Sequence, residues 1–166
     1  MHLAATLAFL AFVSFQRAGE LLLAWRNTKR LRAKGAYEVG SSHYPFIVVL
    51  HGAWLAGLWL LGWDRALSPV WVGAYVALQA ARFWILASLG GRWTTRILIL
   101  PGAPLVKKGP YRYLRHPNYL IVAGEIAVAP MALGLDLFAV IFTALNGVAV
   151  AVRIKIEDRA LREPGI

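Results

Sequence analysis

Long apolar runs, broken by short clusters of charge and proline, pattern this chain. Four runs have the length that a helix needs to cross a bilayer, about 17 to 25 residues: 3–25, 46–63, 69–89 and 119–135. A fifth, 137–152, follows the fourth so closely that the two must fold as a tight hairpin. The pattern predicts an all-α integral membrane protein with five transmembrane helices, forming one membrane-embedded domain over residues 1–166. The first run is read as a mature helix and not a cleaved leader, because no basic region precedes it and Arg17 and Glu20 lie inside it.

Composition agrees with this reading. At 59% hydrophobic and 16% charged residues, with a mean hydropathy of +0.58, the chain is too apolar for an ordinary soluble domain. The formal charge of +10 raises the possibility of a nucleic-acid partner, and its distribution argues against one. Of the 18 Lys and Arg, five fall between Arg26 and Lys34, six between Arg92 and Arg115, and four between Arg153 and Arg162. Those are alternate connections of a five-span chain, and Arg65 alone lies in an opposite one. Such asymmetry puts the N-terminus outside and the basic loops and C-terminus in the cytoplasm. Trp25, Trp63, Trp71 and Trp93 fall near span ends, where indole rings prefer the interface.

The chain has no cysteine, which removes disulfides, thiolate metal sites and cysteine nucleophiles. No histidine metal site is expected, since His43 and His51 are separated by Pro45 and His2 lies at the far end of a span.

Polar side chains inside the spans are costly unless paired or facing an aqueous cavity, which makes them candidates for function. Gln16, Arg17 and Glu20 fall within about one turn, with Asn27 on the same face. Arg17 and Glu20 either neutralise each other at helical spacing or contact substrate. Gln79 and Arg82 lie three apart in the third span, where Arg82 either snorkels to lipid phosphate or takes part in chemistry.

The connection before the fourth span is the most informative stretch. PGAPLVKKGPYRYLRHP carries prolines at 101, 104, 110 and 117, a spacing that forbids a continuous helix. Pro117 suits the first position of the next helix, with His116 just before it. The free amides of that helix start, with Arg115, form a natural anion site. Tyr111, Tyr113 and Tyr119 add π-faces for a cation or a flat ring, so the loop suits a zwitterionic cofactor. Asn146, Arg153 and Glu157, spaced seven and four apart, line one stripe of the last helix as it leaves the membrane. Arg before Glu at i+4 is the weaker order for a stabilising pair, which favours ligand-facing roles for both.

The loop GPYRYLRHPNY, followed by a two-helix hairpin and by RIKIEDRAL with its R-x-x-x-E-D-x-x-L spacing, resembles the isoprenylcysteine carboxyl methyltransferase family. The layout of the whole chain is most similar to that family's short bacterial branch, some members of which O-methylate alkylpyrones or phenolic lipids. The resemblance implies S-adenosylmethionine bound in a cytoplasm-facing pocket, and a lipophilic acceptor arriving from the surrounding membrane lipids. Gly109, Tyr111, Arg115, His116, Pro117 and Tyr119 match the cofactor loop, and Glu157 matches the first acid of the pair. The second acid is Asp158 where relatives carry glutamate, and the aromatic tail of many relatives does not follow before Ile166.

Methyl transfer from a sulfonium is a displacement in which the protein supplies alignment and desolvation. Arg153 is the candidate for holding the acceptor oxygen, and Glu125 or His116 for helping a phenol lose its proton. Arg17, Glu20 and Asn146 are candidate substrate contacts. Two other readings use fewer of these features. A small multidrug-type transporter explains Glu20 in the first span but not the proline-patterned loop, and a haem-binding electron carrier needs two histidines facing each other in the membrane.

Overall fold

The structure, a computed structural model, describes residues 2–162; Met1 and residues 163–166, and with them the chain's end at Ile166, lie outside the described residues. Five helices carry the fold: α1 (His2–Arg32), α2 (Tyr44–Gly62), α3 (Pro69–Leu89), α4 (Pro117–Ala132) and α5 (Asp136–Arg162). Proline stands in the first turn of α2, α3 and α4, where its missing N–H costs nothing. The protein is an all-α membrane protein. Among the described residues, α1, α2, α3 and α5 belong to segments long and apolar enough to cross a bilayer. Helix α4 is shorter than the others: its 16 residues rise about 24 Å.

The helices outrun the apolar runs at two ends. α1 continues to Arg32 and α5 to Arg162, beyond the 25 and 152 that hydropathy predicts. Lys, Arg, Glu and Leu are good helix formers, and basic side chains near a helix C-terminus complement its dipole. Hydropathy ends where charge begins; the helix does not.

Burial departs from that of a water-soluble bundle. Phe15, Leu60, Val70, Phe83 and Leu137 are 73 to 77% exposed on the outside, while Thr6, Glu20, Asn27, Arg82, Glu125, Asn146 and Arg153 are buried. Lipid can cover the first set, whereas the second must find partners within the bundle.

The bundle has an apolar half and a polar half. Phe9, Leu10 and Val13 of α1 pack with Trp54 and Leu58 of α2, Tyr75 of α3 and Ile126 and Ala129 of α4. Pro130 lies inside α4 and has no N–H to give the carbonyl of Ile126 four residues back. The indole N–H of Trp54 donates to that carbonyl at 3.1 Å, so a neighbouring helix repairs the gap.

At the other end, two short strands join the loops after α1 and α3. β1 (Tyr37–Glu38) pairs antiparallel with β2 (Leu98–Ile99), with Tyr37 opposite Ile99. Glu38 accepts from Arg32 at 2.5 Å and Arg96 at 2.6 Å, and the Arg96 guanidinium sits 4.0 Å from the Tyr44 ring centre. Asn27 donates to the backbone oxygens of Gly90 and Trp93, pinning the turn after α3 to α1.

Trp54→Phe leaves the Ile126 carbonyl buried without a donor and is expected to cost about 1–3 kcal/mol. Adding Pro130→Ala should recover much of that loss by supplying a backbone N–H. Unfolding midpoints of both variants in detergent check this.

Candidate active site

Four charges meet at the centre of the bundle. Glu125 of α4 is fully buried and accepts from Gln79 and Arg17, each at 2.9 Å, and from Arg82 Nε at 3.2 Å, with a second bond from Arg82 Nη2. Glu20 accepts from Gln16 at 2.9 Å and Arg17 at 3.2 Å, and lies 3.3 Å from Arg82 Nε. Tyr75 donates to the Gln16 amide oxygen at 2.8 Å. Two guanidiniums and two carboxylates thus cancel, which is the condition for keeping any of them at this depth.

This arrangement corrects two expectations. Arg82, 3% exposed, does not snorkel to lipid: it is held by Glu20, Glu125 and Asn118. Glu125 does not fit the part of a catalytic base, because both its oxygens are engaged and it does not line the cavity beside the cluster. Arg17 and Glu20 form the helical pair that their spacing allows, and also line that cavity.

The cavity, of about 290 Å³, lies among all five helices. Its walls include Leu21, Ile47, Leu55, Val122 and Val150, and its polar groups include Arg17, Arg82, His51, Asn146 and Arg153. The Asn146 side-chain N–H₂ and the Arg17 Nε are buried without a hydrogen-bond partner.

At the far side of the cavity, Arg153 donates through Nε to the Tyr119 hydroxyl at 3.3 Å, and that hydroxyl donates to Glu157 at 2.6 Å. His116 stacks on Tyr119 with ring centres 5.5 Å apart. Its Nε2 is 3.2 Å from Asp158, and its Nδ1 is 3.7 Å from Glu157. The proline-rich loop and the end of α5 therefore meet at His116, Tyr119, Glu157 and Asp158.

Other members of the loop stand apart from that group. Gly109, at φ +53, holds the loop against α3, since a Cβ there would collide with the Ser88 hydroxyl. Tyr111 packs against the cluster of Ala24, Ile85 and Trp93; burial first, then the Glu157 carboxylate, hold its hydroxyl above its usual pKa, so it remains a neutral phenol. Arg115 is exposed and forms no ion pair among the described residues. Pro117 is the buried first residue of α4, whose opening turn has no side-chain cap.

Asn118, inside the RHPNY stretch, went unnoticed in the sequence yet joins the site to the charge cluster. Its Oδ1 accepts from Arg82 at 2.9 Å and from the Trp93 indole at 3.3 Å. A polar residue just after a helix-starting proline was the available signal. His51, which the sequence reading weighed only as a metal ligand and set aside, lines the cavity.

The description of the isoprenylcysteine carboxyl methyltransferase (ICMT) family matches residues 71–163, which include the loop, the hairpin and the acid pair. This chain belongs to the ICMT family. Membership makes it a membrane methyltransferase, of a family whose enzymes use S-adenosylmethionine. It is 38% identical over 159 residues to the uncharacterized protein YpbQ of Bacillus subtilis (strain 168), covering 93% of this chain and 95% of that one. It is 29% identical over 152 residues to an uncharacterized protein of Haemophilus influenzae, covering 85% and 86%. No solved structure matches the chain.

Glu125→Ala leaves two buried guanidiniums facing one carboxylate and is expected to destabilise the protein by about 3–5 kcal/mol. Combining Glu125→Gln with Arg17→Met keeps the cluster neutral and should recover part of the loss. Denaturation in mixed micelles would compare the two.

Proposed function

We propose that this chain transfers a methyl group from S-adenosylmethionine to an oxygen of a lipophilic acceptor entering from the bilayer. The carrying observation is the seam at Arg153, which lines the apolar-walled cavity and hydrogen-bonds the Tyr119 hydroxyl that Glu157 holds. One side of the seam suits the acceptor and the other the cofactor.

The residues present fit the cofactor. Glu157 and Asp158 have side chains 29 and 31% exposed, so both can face solvent-borne positive charge beside the Tyr119 ring. Arg115 and the uncapped start of α4 can take a carboxylate. When bound, the cofactor supplies an electrophilic methyl carbon on a positively charged sulfur. His116 keeps the Tyr119 ring and the acid pair in register, and Arg153 holds the acceptor oxygen towards that methyl. The apolar walls exclude water that would compete.

A second cavity, between α1 and α3, shares Glu20 and Arg82 with the first and is lined by Leu23, Phe83 and Leu86. Phe83 faces lipid. This supports access from the bilayer, and an acceptor of the alkylpyrone or phenolic-lipid kind suits the walls. The basic loops support a cytoplasmic site with the N-terminus outside, in a bacterial inner membrane.

His116→Ala and Glu157→Ala should each weaken S-adenosylmethionine binding roughly tenfold or more, the loss of a hydrogen bond to a charged group. Arg153→Ala should leave that affinity nearly intact and lower turnover, with little recovery in Arg153→Lys, which lacks the planar fork. Unchanged affinity in the first two, or full turnover in Arg153→Lys, contradicts the assignment.

A further inference from the structure

We propose that His51 is a catalytic base, its Nε2 taking the proton of an acceptor hydroxyl in the cavity, so that the acceptor is a phenol or enol and not a carboxylate. The proposal rests on the methyl-transfer reading above.

The hydrogen-bond pattern defines the imidazole. His51 Nδ1 lies 2.9 Å from the carbonyl oxygen of Ile47, one turn back in α2. A carbonyl can only accept, so Nδ1 carries the hydrogen and Nε2 of the neutral ring keeps a lone pair. Ile47, His51 and Leu55, spaced by four, form the stripe of α2 that lines the cavity. The apolar residues of that stripe need no polar neighbour, so the imidazole between them is surplus to packing.

The remaining polar groups of the cavity are predominantly donors. Arg17 Nε and Asn146 Nδ2 are buried and unpartnered, and Arg153 adds a further guanidinium. Around His51, the charged and titratable groups lining the cavity are Arg17 and Glu20 of α1, Tyr44 of α2, Arg82 of α3, Tyr119 of α4 and Arg153 of α5. A carboxylate would satisfy the donors and leave the Nε2 lone pair unused. A hydroxyl uses both: its proton goes to Nε2 while its oxygen, held by Arg153 and gaining negative charge, takes the free donors of Asn146 and Arg17.

The step balances. The O–H bond breaks and its proton passes to His51 Nε2. The oxygen forms a bond to the methyl carbon as the carbon–sulfur bond breaks, its electron pair staying on sulfur. His51 then returns the proton to water.

The test compares a long-chain alkylphenol with its ring-nitrated counterpart, which is already ionised at mildly alkaline pH and needs no base. His51→Gln should lower single-turnover methylation of the alkylphenol on the order of 100-fold. It should leave the nitrated acceptor within about threefold of wild type. Cofactor-free equilibrium dialysis of radiolabelled alkylphenol should show acceptor affinity nearly unchanged, which a merely collapsed cavity would not. Equal loss on both acceptors, or no loss on either, overturns the role of His51 while leaving methyl transfer in place. A wild-type protein that methylates neither overturns the reading beneath it as well.

Discussion

The neutral cluster of Arg17, Glu20, Arg82 and Glu125 is the constraint on which this bundle depends. No single member could stay at the centre of a membrane protein unpaired, because the desolvation cost of one charge exceeds what packing returns. Together they join α1, α3 and α4 through oriented bonds, where apolar contact alone would give little preference in a lipid surround. Beyond the contact proposed between Arg17 and the acceptor oxygen, the cluster carries no chemistry of its own. Its part is to hold three helices in one arrangement and to place two guanidiniums against the cavity.

From the cluster the order propagates towards the loops. Arg82 holds Asn118, Asn118 holds the Trp93 indole, and Asn27 holds the Trp93 carbonyl. The first turn of α4 is thereby positioned from below, and His116 and Tyr119 meet Glu157 and Asp158 from above. A methyl transfer needs its reacting atoms aligned whether or not a base assists, and this chain of contacts fixes the side chains that would align them. The apolar half, with Trp54 bonded across to the carbonyl freed by Pro130, is the rigid base.

Much of this was legible in the sequence, for reasons that differ by residue. The apolar runs mark the helices because hydrocarbon demands them, and the prolines at 45, 69 and 117 mark their starts. The motif around His116 and the spacing of Arg153 and Glu157 point to one site, since helix periodicity puts the latter pair on one face. The contacts of Glu125 and Arg82 were not legible: periodicity says which face of its own helix a side chain occupies, never which helix lies opposite. Asn118 was hidden for the same reason. His51 was passed over because its tautomer, set by the Ile47 carbonyl, exists only once the helix does. The extra turns of α1 and α5 escaped because hydropathy measures solvent preference, whereas helix continuation follows propensity.

The most direct test supplies the purified protein, in nanodiscs made from bacterial lipid extract, with S-adenosylmethionine labelled on its methyl group. Mass spectrometry then follows the label. The account predicts one labelled methyl on an oxygen of an apolar product in the lipid phase. Label found on nitrogen or only in water-soluble products, or no transfer despite bound cofactor, would contradict it.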